Sequence, residues 1–534
     1  MPTSTGIALH RVLVADAVSE AGLAVLRERP GFEVAVRTGL KPDELADVVG
    51  DYDALIVRSA TRVTAQGLAR PERLKVIGRA GTGVDNIDLE AATRAGIVVL
   101  NTPGGNATAA AEQTMCLLLG LARHLGPASA DLRAGKWERK AYTGVELAGK
   151  TLGVLGLGRI GREVVRAALG LRMRVIAFDP YVPEAATSDL GIKRAPLEEV
   201  LSGSDFLTLH LPLVPETRHV LDAAALGRMQ RGARLINCAR GGLVDEAALL
   251  AALESGHLAG AALDVFEEEP PRDLALVRHP KVLATPHLGA STVEAQERVG
   301  AEIAAKVADY LERGIILDAV NFPAVPPEEQ EILQPMMALA ERLGRFVSQV
   351  AEGAPLRLTL RAFGELAQPA LQPLVLAAAK GLLSPVLSSV THVNSLALAA
   401  SRGIAVEHGR STEPTPPYAG LVRVTLVTEA ETLTAAGTLV ARAPRLVEVD
   451  GLPLDSGASG PVLLFRNQDV PGVVGRVGTL LGDAGINIAG VQLGRTAPGA
   501  QAVFLVDVDQ AVPPQVLESL RQIPGIVRVR ALTL

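Results

Sequence analysis

The apolar run Thr151-Leu152-Gly153-Val154-Leu155 leads directly into Gly156-Leu157-Gly158-Arg159-Ile160-Gly161, after which Arg162 to Leu169 reads as a helix. A strand, a turn with glycines at GxGxxG spacing and a helix start, in that order, leave few folds open. The glycines permit a tight turn and let the backbone approach a pyrophosphate, which then rests on the positive end of the helix. The next apolar run, Arg174 to Phe178, ends in Asp179, about 20 residues on, where such a turn uses an acid to bind ribose hydroxyls. This pattern predicts a Rossmann-type, doubly wound α/β domain that binds a dinucleotide. An aspartate there repels a 2′-phosphate by about 4 kcal/mol at about 4 Å and an effective dielectric of about 20. NAD is therefore expected rather than NADP.

Further β-like runs follow at Asp205 to His210, Arg234 to Asn237, Gly260 to Asp264 and Val282 to Thr285, separated by helix-like stretches. Open α/β sheets bind ligands beyond the carboxyl ends of their strands, and three of these ends carry chemistry. Arg240 stands in Asn237-Cys238-Ala239-Arg240-Gly241-Gly242, Glu269 follows Asp264-Val265-Phe266-Glu267-Glu268, and His287 lies in Thr285-Pro286-His287-Leu288-Gly289. A guanidinium offers a planar fork of donors that fits a small carboxylate. Histidine suits removal of a hydroxyl proton near neutral pH, and a neighbouring carboxylate fixes its tautomer. Taken singly, these residues also fit a turn arginine, a loop histidine and a solvated acidic rim. Their arrival at neighbouring strand ends, downstream of the glycine turn, favours oxidation of a hydroxy acid.

Upstream, Arg11 to Ala15, Ala54 to Val57, Lys75 to Ile77 and Ile97 to Leu100 alternate with helix-like stretches, which argues for a second parallel sheet. Arg58 and Arg79 follow two of these strands, where they would face a ligand crevice and could grip a polyanion. Ala107 to Leu125 reads as one long apolar helix buried between domains or subunits. The only tryptophan lies in Lys136-Trp137-Glu138-Arg139-Lys140, either a contact arm or a side chain packed on its own domain. Ser291 to Arg313 reads as an amphipathic helix returning to the first domain, so the nucleotide domain is expected to be inserted into that domain.

From about Pro323 the character changes. Helix-like runs (Pro335 to Val350, Leu371 to Leu383, Asn394 to Ser401) mix with β-runs (Leu356 to Arg361, Leu421 to Thr428, Thr434 to Ala441, Arg445 to Val449), and no titratable cluster stands out. After a break at Asp455 to Gly460, the order of runs is βαββαβ, which is ferredoxin-like. Asp469 and Asn487 lie on two loops of this last module, where an amino-acid effector could be held; an N-cap and a turn residue explain them equally well. A length of 534 residues requires several domains, and a net charge of −6 offers no basic footprint for nucleic acid. Cys116 and Cys238 lie far apart within apolar runs, so packed thiols are expected and neither a disulfide framework nor a zinc site. No window reaches the roughly 18 apolar residues of a membrane span, and no leader segment is evident, so a cytoplasmic location is expected.

Through Val57-Arg58-Ser59-Ala60-Thr61, Gly78 to Asn86, Gly156 to Gly161, Asn237 to Gly242, Leu263 to Pro271 and His287 to Thr292, the chain resembles the D-3-phosphoglycerate dehydrogenases. These belong to the D-isomer-specific 2-hydroxyacid dehydrogenases, and the likeness is to the form with an intervening domain and a C-terminal ACT domain. It implies a flavodoxin-like substrate domain (1–101 and 291–321), an NAD domain (102–290), an α+β intervening domain (322–457) and an ACT domain (460–534). It further implies oxidation of 3-phosphoglycerate at C2 in serine biosynthesis, with Arg240 positioning carboxylate and hydroxyl, His287 accepting the proton and Glu269 pairing with it. Arg58 and Arg79 would hold the phosphate and carboxylate ends. Thr82, Arg159, Ile160, Asp179, Cys238, Asp264 and Gly289 would line the NAD site with Gly156, Gly158 and Gly161. A homo-oligomer, dimer or tetramer, is implied as well. Serine-inhibited members can carry a histidine near the first ACT strand's end; this chain has Phe465-Arg466-Asn467 there and keeps Asp469 and Asn487, so serine is a candidate effector only. Competing readings are a hydroxypyruvate or glyoxylate reductase and an NAD-sensing corepressor-like protein.

Overall fold

The computed structural model describes residues 9–183, 187, 190–325, 329–457 and 459–534. Residues 1–8, part of the stretch read for a leader, and residue 458 in the break before the last module lie outside the described residues.

Five strands, β1 (His10–Val14), β2 (Phe32–Val36), β3 (Ala54–Val57), β4 (Val76–Arg79) and β5 (Val98–Asn101), form a sheet in the order β2-β1-β3-β4-β5. All its pairings are parallel, which is the flavodoxin-like arrangement. β3 and β5 are buried along their whole length because helices cover both faces. One cover is the helix Val293–Arg313, which starts at the Thr292 cap and stops at Gly314 in the left-handed region. Its Val299, Ile303, Ala304 and Val307 pack into this sheet's core although they follow the next domain in sequence.

The second sheet comprises β6 (Thr151–Leu155), β7 (Arg174–Phe178), β8 (Lys193–Arg194), β9 (Phe206–Leu209), β10 (Arg234–Asn237), β11 (Gly260–Leu263) and β12 (Val282–Ala284). Its order, β12-β11-β10-β9-β6-β7-β8, reverses between β6 and β9, as in a Rossmann sheet, and that reversal opens a crevice at the strands' carboxyl ends. The apolar helix Ala107–Ala122 packs into its core through Met115, Leu117, Leu118 and Leu121. Here the structure departs from the single helix expected to Leu125. His124 adopts a left-handed backbone (φ 54°), and a separate helix, Leu125–Arg133, with none of its residues buried, begins there. Cys116 also proves exposed on the first helix, whereas Cys238 is half-buried.

The third sheet holds β13 (Pro355–Gly364), β14 (Ala405–Ser411), β15 (Gly420–Thr428), β16 (Thr432–Val440), β17 (Ala443–Val449) and β18 (Leu452–Ser456), in the order β14-β13-β15-β16-β17-β18. The helices Gln330–Val350 and Gln372–Leu383 contribute to its core. The fourth comprises β19 (Pro461–Gln468), β20 (Ile488–Arg495), β21 (Gln501–Val508) and β22 (Ile526–Thr533), antiparallel in the ferredoxin-like order β20-β21-β19-β22. One face, with Phe465 stacked on Phe504 at 4.3 Å, carries this module's two helices. The other face, Val462, Leu464, Val503, Leu505 and Leu532, joins the core of the third sheet. Side-chain alternation along a strand thus divides one short sheet between two cores.

Candidate active site

The glycine turn is built as its spacing requires. Gly156 has φ 100°, which a side chain would rarely tolerate, and a Cβ on Gly161 would strike the Gly156 carbonyl. The helix Arg159–Gly170 can therefore begin against the end of β6, with Gly158 at its cap facing open space. Backbone N–H groups and the helix dipole are thereby left accessible to a pyrophosphate. Asp179 is buried at the end of β7. Its Oδ2 accepts from Leu157 N at 2.8 Å, and its Oδ1 accepts from Tyr181 N at 2.9 Å and Val182 N at 3.1 Å. The acid therefore braces the turn. Arg159 reaches across to Gly104 in the connection between the two lobes, and half-buried Ile160 packs against the second-sheet core.

At the end of β10 the Asn237 side chain ties the turn, accepting from Ala239 N at 3.0 Å and donating to the Arg240 carbonyl at 2.8 Å. A Cβ on Gly241 would overlap the Phe266 backbone, so bare glycine is what lets this turn lie against the segment carrying Glu269. Glu269 Oε2 accepts from His287 Nδ1 at 2.7 Å, and its Oε1 accepts from Phe266 N at 3.2 Å. Burial alone would raise the Glu269 pKa, but the hydrogen bond and charge of His287, with Phe266 N and Arg240 adding, hold it below the usual value. With Nδ1 committed to the carboxylate, Nε2 is left as the proton-accepting nitrogen. His287 itself has φ 53°, a strained backbone that costs about 1 kcal/mol. Buried Asp264 holds it there: its carbonyl accepts from His287 N, and its carboxylate accepts from Leu288 N, Gly289 N and Thr285 Oγ1. Asp264 and Gly289 thus shape the loop. Burial pushes the Cys238 thiol up to about 12, so it stays protonated. A cavity of about 370 Å³ has Glu269 and His287 in its wall, with Phe266, Pro270, Pro271 and Val277.

The first lobe faces this group with arginines. Arg79 ends β4, its Nε is buried without a partner among the described residues, and its pKa is lowered to about 10 by burial, then by the charges of Arg240 and Arg58. Three guanidiniums from two lobes therefore share one field, which calls for an anion. Arg58 donates to the Ala17 carbonyl at 3.1 Å. Thr82 Oγ1 donates to Asn106 Oδ1 at 2.7 Å, where the chain crosses between lobes.

Two residues went unrecognised in the sequence. Asp85 Oδ2 accepts from Arg240 Nε at 2.6 Å across the lobes, a pairing over 155 positions that no local pattern reveals. His210, at the end of β9, has its backbone carbonyl against Gly156; burial pushes its pKa down to about 4, and its Nε2 lies 3.1 Å from Thr208 Oγ1. Its strand-end position was the available signal. Asp469 and Asn487, by contrast, are not brought together. Asp469 bonds Arg495 at 2.5 Å and Asn487 bonds Asp509 at 2.7 Å, at opposite ends of β20. Seven strand steps separate those ends by about 20 Å. One chain therefore cannot hold a single amino acid between them.

Residues 115–289 match the model of the NAD-binding domain of D-isomer-specific 2-hydroxyacid dehydrogenases, 332–450 that of the D-3-phosphoglycerate dehydrogenase intervening domain, and 461–525 that of the ACT domain. The chain is 42% identical to D-3-phosphoglycerate dehydrogenase of Methanocaldococcus jannaschii over 526 residues, covering 98% of this chain and 100% of that one. It is 39% identical to the Bacillus subtilis enzyme of the same name, covering 98% and 100%. Among solved structures, the TT0316 protein of Thermus thermophilus aligns with TM-score 0.53 and 39% identity, over 58% of this chain and 99% of that one. A glyoxylate reductase from Paecilomyes thermophila aligns with TM-score 0.54 and 31% identity, over 60% and 99%.

Proposed function

Because the chain belongs to the D-3-phosphoglycerate dehydrogenase family, it is an NAD-dependent oxidoreductase, and we propose that Arg240, Glu269 and His287 carry out the oxidation. The reaction converts 3-phospho-D-glycerate to 3-phosphohydroxypyruvate, the first step of serine biosynthesis. Gly156, Gly158, Gly161 and Asp179 would hold NAD, which would supply the acceptor for the hydride from C2. Arg240 grips the carboxylate and the C2 oxygen. His287 Nε2 takes the hydroxyl proton, and Glu269 keeps the ring oriented and balances the charge it gains. Arg58 and Arg79 hold the remaining anionic end. Support comes from Arg79, a guanidinium whose Nε is buried without a partner among the described residues and which lies in the field of Arg240 and Arg58, partly offset by Asp85 and Asp16.

The test compares kcat/KM for 3-phosphoglycerate and D-glycerate. A preference of at least about 10-fold for the phosphorylated acid is expected from one charge-assisted contact; equal values would remove the phosphate assignment. The accompanying domain limits are 1–101 with 291–321, 102–290, 322–457 and 460–534. We also infer a homo-oligomer, because Trp137 is 75% exposed on its arm beside exposed Leu125 and Leu132. A cytoplasmic setting accords with two free cysteines.

A further inference from the structure

We propose that Asp85 is a positioning residue for Arg240, holding the guanidinium in its working orientation from the opposite lobe. The inference rests on the role given to Arg240 above. Asp85 lies in the loop after β4 in the first lobe, and Arg240 lies after β10 in the nucleotide lobe. Only the folded cleft brings them together.

Three observations carry it. Arg240 Nε donates to Asp85 Oδ2 at 2.6 Å and its Nη1 donates to the Ala239 carbonyl at 2.6 Å. Two bonds on different nitrogens fix the plane of a guanidinium. They leave Nη2 and one Nη1 hydrogen without a partner among the described residues, a pair of donors on one side for a carboxylate. Secondly, the loop is shaped around this contact: a Cβ on Gly83 would overlap Arg240 Nη2 and lie 2.9 Å from Asp85 Oδ2. Thirdly, Asp85 supplies negative charge where Arg79 and Arg240 repel each other, and its charge supports that of Arg79. Arg240 is the more buried partner, with its side chain 27% exposed against 53% for Asp85. The acid approaches from the solvent side of the cleft and can remain on Nε while a ligand takes Nη2.

A ligand-gripping arginine that wanders by about 1 Å can lose about 100-fold in rate. Asp85→Ala removes the Nε acceptor, whereas Asp85→Asn keeps an oxygen in its place. In the full-length enzyme with NAD and 3-phosphoglycerate, Asp85→Ala is expected to lower kcat/KM at least tenfold. NADH affinity and Tm should stay close to the parent's, and Asp85→Asn should recover kcat/KM to within threefold. Should the alanine variant fold poorly, Asp85→Glu, which moves the carboxylate off Nε by one methylene, replaces it with the same expected loss. Parent-like kcat/KM in Asp85→Ala overturns the proposal, as does an asparagine variant as impaired as the alanine one. Arg240→Ala separates this from the underlying reading: full activity there removes the role of Arg240 itself, whereas its inactivity beside a parent-like Asp85→Ala removes the role of Asp85 alone.

Discussion

The left-handed backbone of His287, the Asp264 carboxylate that accepts from the following residue and the bond to Glu269 together leave one ring nitrogen free of the carboxylate, with the side chain in the cavity wall. Replacing Glu269 with glutamine keeps the size and removes the charge, so kcat is expected to fall about 100-fold with NADH affinity unchanged, as measured by steady-state turnover and fluorescence titration. The pH dependence follows from the sign of the shift. Glu269 has its folded pKa below the ordinary 4.5, so the pair is intact above that value and is lost only as pH falls through the lower one. The parent profile of kcat/KM should therefore show no limb from Glu269 above pH 4.5. That Arg240, Glu269 and His287 come to neighbouring strand ends is legible in the sequence because each stands just past an apolar run, and the parallel sheet aligns those ends. Asp85 could not, since its partner is set by how two lobes meet.

Elements differed in legibility for physical reasons. The buried runs of β3, β6 and β10 announce themselves, whereas β2, β14 and β18 are wholly or largely half-exposed or exposed, so their apolar signal is too weak to mark them as strands. The separation of Asp469 from Asn487 depends on antiparallel register, which composition does not encode. The helix Val293–Arg313 was found, but its second task was hidden. One stripe of it holds the crossover between lobes: Arg298 donates to the Gly105 carbonyl, and Lys306 donates to the Asn101 carbonyl at 3.0 Å while pairing with Glu302 at 2.5 Å and Asp318 at 2.7 Å. All three ammonium hydrogens are used, and the side chain is 9% exposed. Lys306→Met would leave two partly exposed carboxylates without their cation, and a loss of about 1 kcal/mol is expected, measurable by urea unfolding.

At the scale of the molecule, the four sheets do not correspond to four independent bodies. Leu376 and Val393 of the intervening domain lie in the core of the first sheet, and the fourth sheet shares its inner face with the third. Arg528 Nη1 donates to both Glu431 carboxylate oxygens across that second junction, at 3.0 and 3.1 Å. Truncation should therefore depend on where the cut falls. Removing 461–534 alone takes Val462, Leu464, Val503, Leu505 and Leu532 out of the core they share with the third sheet, and an aggregating product is expected. Removing everything after 325 leaves the first two sheets, and the solved relatives are matched almost end to end by only 58% and 60% of this chain; a product that binds NADH is expected. Solubility and NADH titration of the two fragments check this.

The divided face of the last sheet also bears on how such enzymes can be recombined. Alternate residues of β19, β21 and β22 answer to two different neighbours, so a foreign ACT module spliced in at residue 460 would arrive with only half of its surface matched. A working chimaera would have to import the helix Gln330–Val350 and the third sheet along with it, which makes the intervening and ACT segments a single inheritable cassette.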